Sequence, residues 1–331
     1  MPLYHFLFVP LHQIGLKCVF VNRSRILIIA KSMNKLSINA CPLCGSTHLK
    51  RVMTCTDFYA SGEAFDVCSC EDCGFTFTQG VPVEAEIGRY YETPDYISHS
   101  DTKKGAMNAI YHQVRRYMLG RKARLVMKEA HRKGGRLLDI GTGTGYFPNA
   151  MQQRGWTVEA VEKNPQARAF AHEHFGLEVK EESALKDFVP GTFDVITLWH
   201  VMEHLERLDE TWTRLHELLT EKGVLIVAVP NCSSYDAEKY GECWAAYDVP
   251  RHLWHFTPAT IQQLASRHGF IMASRHPMPF DAFYVSMLSE KNRGSSYSFV
   301  KGMVAGSIGW MSSLAHKERS SSMIYVFRKK R

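Results

Sequence analysis

From residue 136 to the end of the chain, apolar runs of strand length alternate with helical patterns, and the first run ends in a glycine-rich loop. "RLLDI" (136–140) reads as a buried strand, followed by "GTGTG" (141–145) and a helix through about 154. "WTVEAVE" (156–162) is a second strand, with a helix over "PQARAFAHEHF" after it. "FDVITLW" (193–199), "GVLIVAVP" (223–230), "FIMASR" (270–275) and "SMIYVF" (322–327) are further strands, and 206–220 and 258–269 are amphipathic helices. Such alternation specifies an α/β fold with a doubly wound, mainly parallel sheet, because parallel strands need helical crossovers. In these sheets ligands sit at the carboxyl ends of the strands. That is where Gly141, Gly143 and Gly145 fall, directly after Asp139.

Glycines there let the chain turn tightly and approach a ligand closely. The run is G-x-G-x-G, not the G-x-G-x-x-G of a dinucleotide site, so a pyrophosphate on the helix start is not expected. The second strand ends in Glu162, an acid placed to accept hydrogen bonds from two ribose hydroxyls.

The formal charge of +7 raises the question of nucleic acid, but the excess has a location. Residues 1–56 hold seven Lys/Arg and no Asp/Glu, and the other 33 Lys/Arg balance 33 Asp/Glu. A neutral body removes the electrostatic reason to expect RNA. No charge-free apolar stretch is long enough to span a bilayer. Residues 1–32 are apolar in short pieces broken by Pro10, Lys17, Arg23 and Arg25, which fits a secretory signal poorly. We expect a leader over 1–36, with the true start at Met33 and a cytoplasmic protein.

Four of the nine cysteines form two knuckles, Cys41-x-x-Cys44 and Cys70-x-x-Cys73, each followed directly by glycine. This is the spacing of a zinc ribbon, a structural four-thiolate site that does no chemistry. About forty residues bury little core unaided, so metal is preferred to a disulfide or free thiols. Cys55 and Cys68 are further thiols able to substitute as ligands. The expected layout is a ribbon over 37–80, a linker and long lid helix over 81–134, and a main domain over 135–331 interrupted at about 279–321.

"WHVMEHL" (199–205) carries His200-x-x-Glu203-His204, a spacing shared with inverted zinc peptidases. Those need a helix presenting both histidines, whereas this motif directly follows a buried strand. Glu203 as a helix cap fits that context better.

The residues 105–278 resemble class I S-adenosylmethionine-dependent methyltransferases. "LLDIGTGTGYF" with Glu162 is similar to their cofactor motif, and "FDVITLWHVMEHL" resembles the fourth strand of ubiquinone-biosynthesis O-methyltransferases. "GVLIVAVPN" and "GECWAAYDVPRHLWHFTPATIQQLASRHGF" resemble the fifth strand and substrate-side loop of the same subgroup, and the ribbon resembles the zinc-binding leader of sugar C-methyltransferases. The resemblance implies a seven-stranded Rossmann-like sheet that binds S-adenosylmethionine. Asp139 and Gly141 to Gly145 would then hold the methionine part and ribose, and Glu162 the ribose hydroxyls. Ser183 and Ala184 would flank adenine, and Trp199 would face the methionine end. Zinc would be the structural ion. A divalent ion on Glu203 and His204 is implied by the same resemblance.

Methyl transfer from an activated sulfonium needs alignment, and a base when the acceptor is a hydroxyl or carbon acid. His200, His204 and His252 are the candidates for that base, with His255 also near. Trp244, Tyr247 and Arg251 read as an acceptor wall, Arg251 being suited to a carboxylate or phosphate. A small-molecule methyltransferase is the expected function. An RNA methyltransferase using the ribbon, or a non-catalytic cofactor-binding protein, are the alternatives.

Overall fold

A computed structural model describes residues 17–20, 26–29, 35–83, 85–91 and 106–330. The leader expected over 1–36 lies outside the described residues except for the strands β1 (Lys17–Phe20), β2 (Ile26–Ile29) and the start of the ribbon region, β3 (Lys35–Leu36). The ribbon region continues with β4 (Leu49–Thr56), β5 (Ala64–Cys70), β6 (Thr76–Gln79) and β7 (Val81–Pro82). The helix α1 (Ala106–Glu129) then leads into the main sheet.

That sheet is built from β8 (Arg136–Ile140), α2 (Tyr146–Gln152), β9 (Thr157–Val161), α3 (Pro165–Phe175), β10 (Val179–Lys180) and β11 (Phe193–Trp199). The chain continues through α4 (Leu208–Leu218), β12 (Leu219–Pro230), the short α5 (Tyr235–Tyr240), β13 (Trp254–His255), which lies outside this sheet, α6 (Pro258–Arg267) and β14 (Phe270–Met278). The helices α7 (Asp281–Asn292) and α8 (Ser298–Ala315) occupy the stretch that no motif placed, and β15 (Ser322–Lys329) ends the sheet.

The seven strands lie in the order β10-β9-β8-β11-β12-β15-β14. β15 runs antiparallel to both its neighbours, and the pairs from β10 to β12 are parallel. β8 and β12 are covered on both faces, which is why they read as unbroken apolar runs. Local chemistry sets the helix starts. Asn164 accepts the backbone N–H groups of Gln166 and Ala167, with Pro165 at the first position. Thr257 and Thr260 form a reciprocal capping box ahead of α6.

The ribbon is not the self-contained unit that its sequence suggests. β13, nearly two hundred residues on, pairs antiparallel with β6, setting Trp254 opposite Phe77 and His255 opposite Thr76. The small sheet therefore runs β13-β6-β5-β4. Phe75 stacks on Trp254 and packs against Phe256, inside a core continuous with that of the main sheet. Three short strands bury too little apolar surface alone, and the fourth, with its aromatic side chains, supplies what is missing.

A buried cation ties the same two regions together. Arg251, 1% exposed, donates to Asp57 of the ribbon at 2.9 Å, to Asp248 at 2.6 Å and to the Tyr90 carbonyl at 2.9 Å. The two carboxylates outweigh the cost of burial and hold the guanidinium firmly charged. Removing one partner of a buried pair leaves an uncompensated charge. Asp57→Ala is expected to cost about 3 kcal/mol of stability, read as a lowered denaturant midpoint, whereas Asp66→Ala on the exposed face of β5 should cost under about 1 kcal/mol.

Candidate active site

The glycine loop folds back over the end of β9. Gly141 and Thr142 both donate their N–H to the Val161 carbonyl, at 2.9 and 3.1 Å. Gly141 has φ of +68°, and a Cβ there would lie 2.3 Å from Val201 Cγ2. Gly143 also has positive φ, at +56°, but a Cβ would meet nothing within 4 Å. The loop is thus pinned on one side and open on the side where a ligand would lie. Gly145 precedes α2 and packs over Ala171 of α3.

Asp139 orients this loop from beneath. It is buried and accepts hydrogen bonds from the Thr197 hydroxyl at 2.6 Å and the Thr142 hydroxyl at 2.7 Å. Burial pushes its pKa up to about 6 against the pull of those hydroxyls and of Lys122. Glu162 takes the Gly143 N–H at 2.8 Å and the Asn164 N–H at 2.9 Å, which fixes its carboxylate at the rim of the loop. Ser183 and Ala184 lie in the single 3-10 turn Glu182–Lys186 just past β10, the strand beside β9.

At the end of β11, Trp199 sets its ring edge-on to Phe147, and the Lys122 ammonium of α1 lies 4.4 Å from the Trp199 ring centre. Burial lowers the Lys122 pKa, opposed by Asp139 and Asp281. Neither Lys122 nor Asp281 stood out in the sequence. Both come from elements outside the sheet, and only the fold brings them to the strand ends.

His200 leaves the strand with φ of +58°, in the left-handed region. Its Nδ1 is 3.4 Å from Glu203 and its Nε2 is 3.4 Å from Asp281 at the start of α7. Burial works against the imidazolium, but the two carboxylates prevail and raise its pKa to about 9. Glu203 caps no helix. It sits in the 3-10 turn Met202–His204, and α4 begins only at Leu208. It is 1% exposed, and neither of its oxygens has a hydrogen-bond partner among the described residues.

Glu203, His204 and His252 converge, each with a ligand atom within 4.8 Å of the others. His204 Nδ1 is 3.0 Å from the Arg251 carbonyl, and His252 Nδ1 is 2.8 Å from the Ala246 carbonyl. A carbonyl only accepts, so both Nδ1 atoms carry the proton, and in a neutral ring each Nε2 keeps a lone pair. Two such lone pairs beside the buried Glu203 carboxylate, which meets His200 on its other side, fit a cation between them. Backbone carbonyls on the distal ring nitrogen are the usual support of metal-binding histidines. Burial, with the neighbouring His252, lowers the His204 pKa to about 4. His255 is placed elsewhere. It meets the Thr78 hydroxyl at 2.9 Å across the ribbon interface.

The expected acceptor wall is inside the protein. Trp244 donates its indole N–H to Asp236 at 2.8 Å and is buried against Tyr247, which also meets His255 edge-on. Arg251 is committed to the clamp described above. Exposed recognition at these three positions was read from an aromatic and cationic composition that in fact builds a core.

The four thiols Cys41, Cys44, Cys70 and Cys73 lie together, with Sγ pairs 41–73 and 44–70 both at 3.5 Å. A tetrahedral zinc–thiolate site has edges of roughly 3.8 Å, so the set fits that ion with little adjustment. Cys55 is buried in a separate cluster with Tyr90 and Trp244, and neither it nor Cys68 is part of the four-thiol set.

Residues 110–274 match the family described as "Methyltransferase domain". This stretch is a methyltransferase domain. It contains the glycine loop, Glu162 and the His200 to His204 turn. The chain is also 36% identical over 106 residues to a ubiquinone biosynthesis O-methyltransferase of Caulobacter sp., covering 30% of this chain and 42% of that one. A protein of the same description from Azorhizobium caulinodans is 27% identical over 165 residues, 45% and 64% of the two chains. The mitochondrial one of Schizosaccharomyces pombe is 31% identical over 103 residues, 29% and 38% of the two. The chain thus spans less than two thirds of the length of each of these relatives.

Gly141→Ala combines a strained φ with a collision against Val201. It is expected to lower stability by at least about 1 kcal/mol, seen in thermal unfolding, while Gly143→Ala, strained but uncrowded, costs less.

Proposed function

We propose that this protein transfers a methyl group from S-adenosylmethionine to a small-molecule acceptor. One observation carries the reading: an open glycine loop with a fixed carboxylate at its rim, next to a strand end bearing His200. Glu162 would receive the ribose hydroxyls, the open side of Gly143 the nucleoside, and Lys122 the carboxylate of the methionine part. Ser183 and Ala184 would border the adenine.

The acceptor attacks the methyl carbon in line with the carbon–sulfur bond. The sulfur keeps the bonding pair and becomes a neutral thioether, and a proton leaves a hydroxyl or carbon-acid acceptor to a neighbouring base. Alignment is the main contribution of the protein. His200, held as an imidazolium between Glu203 and Asp281 at the end of β11, would position the acceptor. Glu203, His204 and His252 would hold a divalent cation, which when bound polarises an acceptor oxygen. The four cysteines would hold a structural zinc that fixes the ribbon, and through β6 and β13 the loop that carries His252.

Calorimetric titration of the full chain with S-adenosylmethionine tests the central claim. One site per chain is expected, and Glu162→Ala should weaken it at least about tenfold, since two hydrogen bonds to a charged group are lost. Absence of binding to both S-adenosylmethionine and its demethylated product would sink it.

Metal content separates the two ion sites. Cys44→Ser is expected to abolish zinc retention and lower the melting temperature. His252→Ala should keep the zinc and reduce uptake of a second divalent ion, followed by equilibrium dialysis.

A further inference from the structure

The helix α8 is built inside out. The side it turns to the protein is made of small residues, Gly302, Ala305, Gly306, Gly309 and Ser313, all buried. A Cβ at Gly302 would come within 2.4 Å of the Met287 Cα, and one at Gly306 within 2.7 Å of the Phe283 Cα, so α7 and α8 pack backbone to backbone. The large side chains point the other way. Phe299, Val300, Met303, Val304, Ile308 and Met311 are exposed, Phe299 and Met311 at 62% each, as are Trp310 and Leu314. At 3.6 residues per turn these eight fall on one contiguous half of the helix, interrupted only by Ser307. A patch of this kind on a folded chain marks an interaction surface.

The charges around it have one sign. Residues 291–317 contain Lys291, Arg293, Lys301 and Lys317 and no Asp or Glu. All four are exposed, two at the tip between the helices and one at each end of the apolar half. The acids beside this stretch are taken, apart from Glu242, which is exposed on the turn that Asn292 meets through the Cys243 carbonyl. Glu290 is buried and accepts from the Tyr240 hydroxyl, Glu318 pairs with Arg275, and Glu238 pairs with Arg319. Aromatic side chains, Tyr297 at the tip and Trp310 along the face, add the amphipathic groups that settle at the boundary between lipid and water.

We propose that α8 docks this protein on the surface of an anionic phospholipid bilayer, lying flat with its apolar half among the acyl chains and its cations at the headgroups. No helix among the described residues is long and apolar enough to cross a membrane, so the contact is peripheral. A second copy of the chain is a poorer occupant, because a symmetric partner presents the same cations and gains no opposite charge. The docking does not depend on the methyl-transfer reading. It would place the membrane next to the site, since α7 begins at Asp281, which meets His200.

The test is flotation of the full chain with phosphatidylcholine vesicles, with and without phosphatidylglycerol. Binding is expected on the phosphatidylglycerol vesicles and should weaken as salt is raised. The triple variant Phe299→Ser, Val304→Ser, Met311→Ser should lower the partition constant at least about tenfold, since three apolar side chains lose burial in lipid. Lys291→Glu with Lys301→Glu should remove the preference for phosphatidylglycerol. Unchanged thermal unfolding would show that these surface changes leave the fold intact, and Met311→Asp alone, expected to weaken binding severalfold, gives a second reading if the triple variant does not fold. No flotation of the unaltered chain, or equal flotation of the triple and Met311→Asp variants, overturns the proposal. So does a dimer, seen by sedimentation equilibrium, that the variants dissociate while vesicle binding is absent.

Discussion

One buried guanidinium organises the approach to the site. Arg251 reaches Asp57 in the ribbon, Asp248 in its own loop and the carbonyl of Tyr90 ahead of α1. A charge this deep persists only if its partners are held in place, so three separate stretches of chain are held to one geometry. The same loop supplies the carbonyls of Ala246 and Arg251 that orient His252 and His204. Backbone groups of a loop fastened by a distant ion pair therefore determine where the imidazole nitrogens of His204 and His252 point.

Around that clamp the chemistry divides by position. The loop after β8 and the end of β9 form an open, polar cradle with fixed carboxylates. The turn after β11 gathers histidines and a buried glutamate out of water. The first needs only backbone shape, which glycine provides. The second needs precise support from distant carbonyls, which the ribbon-linked loop provides. Lys122 and Asp281 arrive from α1 and α7 and close the space between the two.

Much of this was readable from residue order. Strands covered on both faces announce themselves as apolar runs, and the glycines with Asp139 and Glu162 mark the ligand end of the sheet. The paired cysteine knuckles announce their cluster because ligand spacing is local. What could not be read depends on distance along the chain. Arg251 looks like an anion receptor until Asp57, 194 residues earlier, is seen beside it. Trp244 and Tyr247 look like a binding wall because aromatic residues serve cores and surfaces alike, and only their neighbours decide. β13 is two residues long and has no periodicity to detect. His252 shows no local spacing with Glu203 and His204, the residues it meets, because they lie some fifty positions upstream.

The strand exchange between β13 and β6 bears on where this protein can be cut. The stretch matched by the methyltransferase family, residues 110–274, includes Trp254 and His255 but not the strand they pair with. A fragment trimmed to that boundary would carry unsatisfied backbone groups and bare aromatic rings at an open edge, inviting pairing with other chains. The unit of homology and the unit of folding do not coincide here, and the ribbon is an integral wall of the fold.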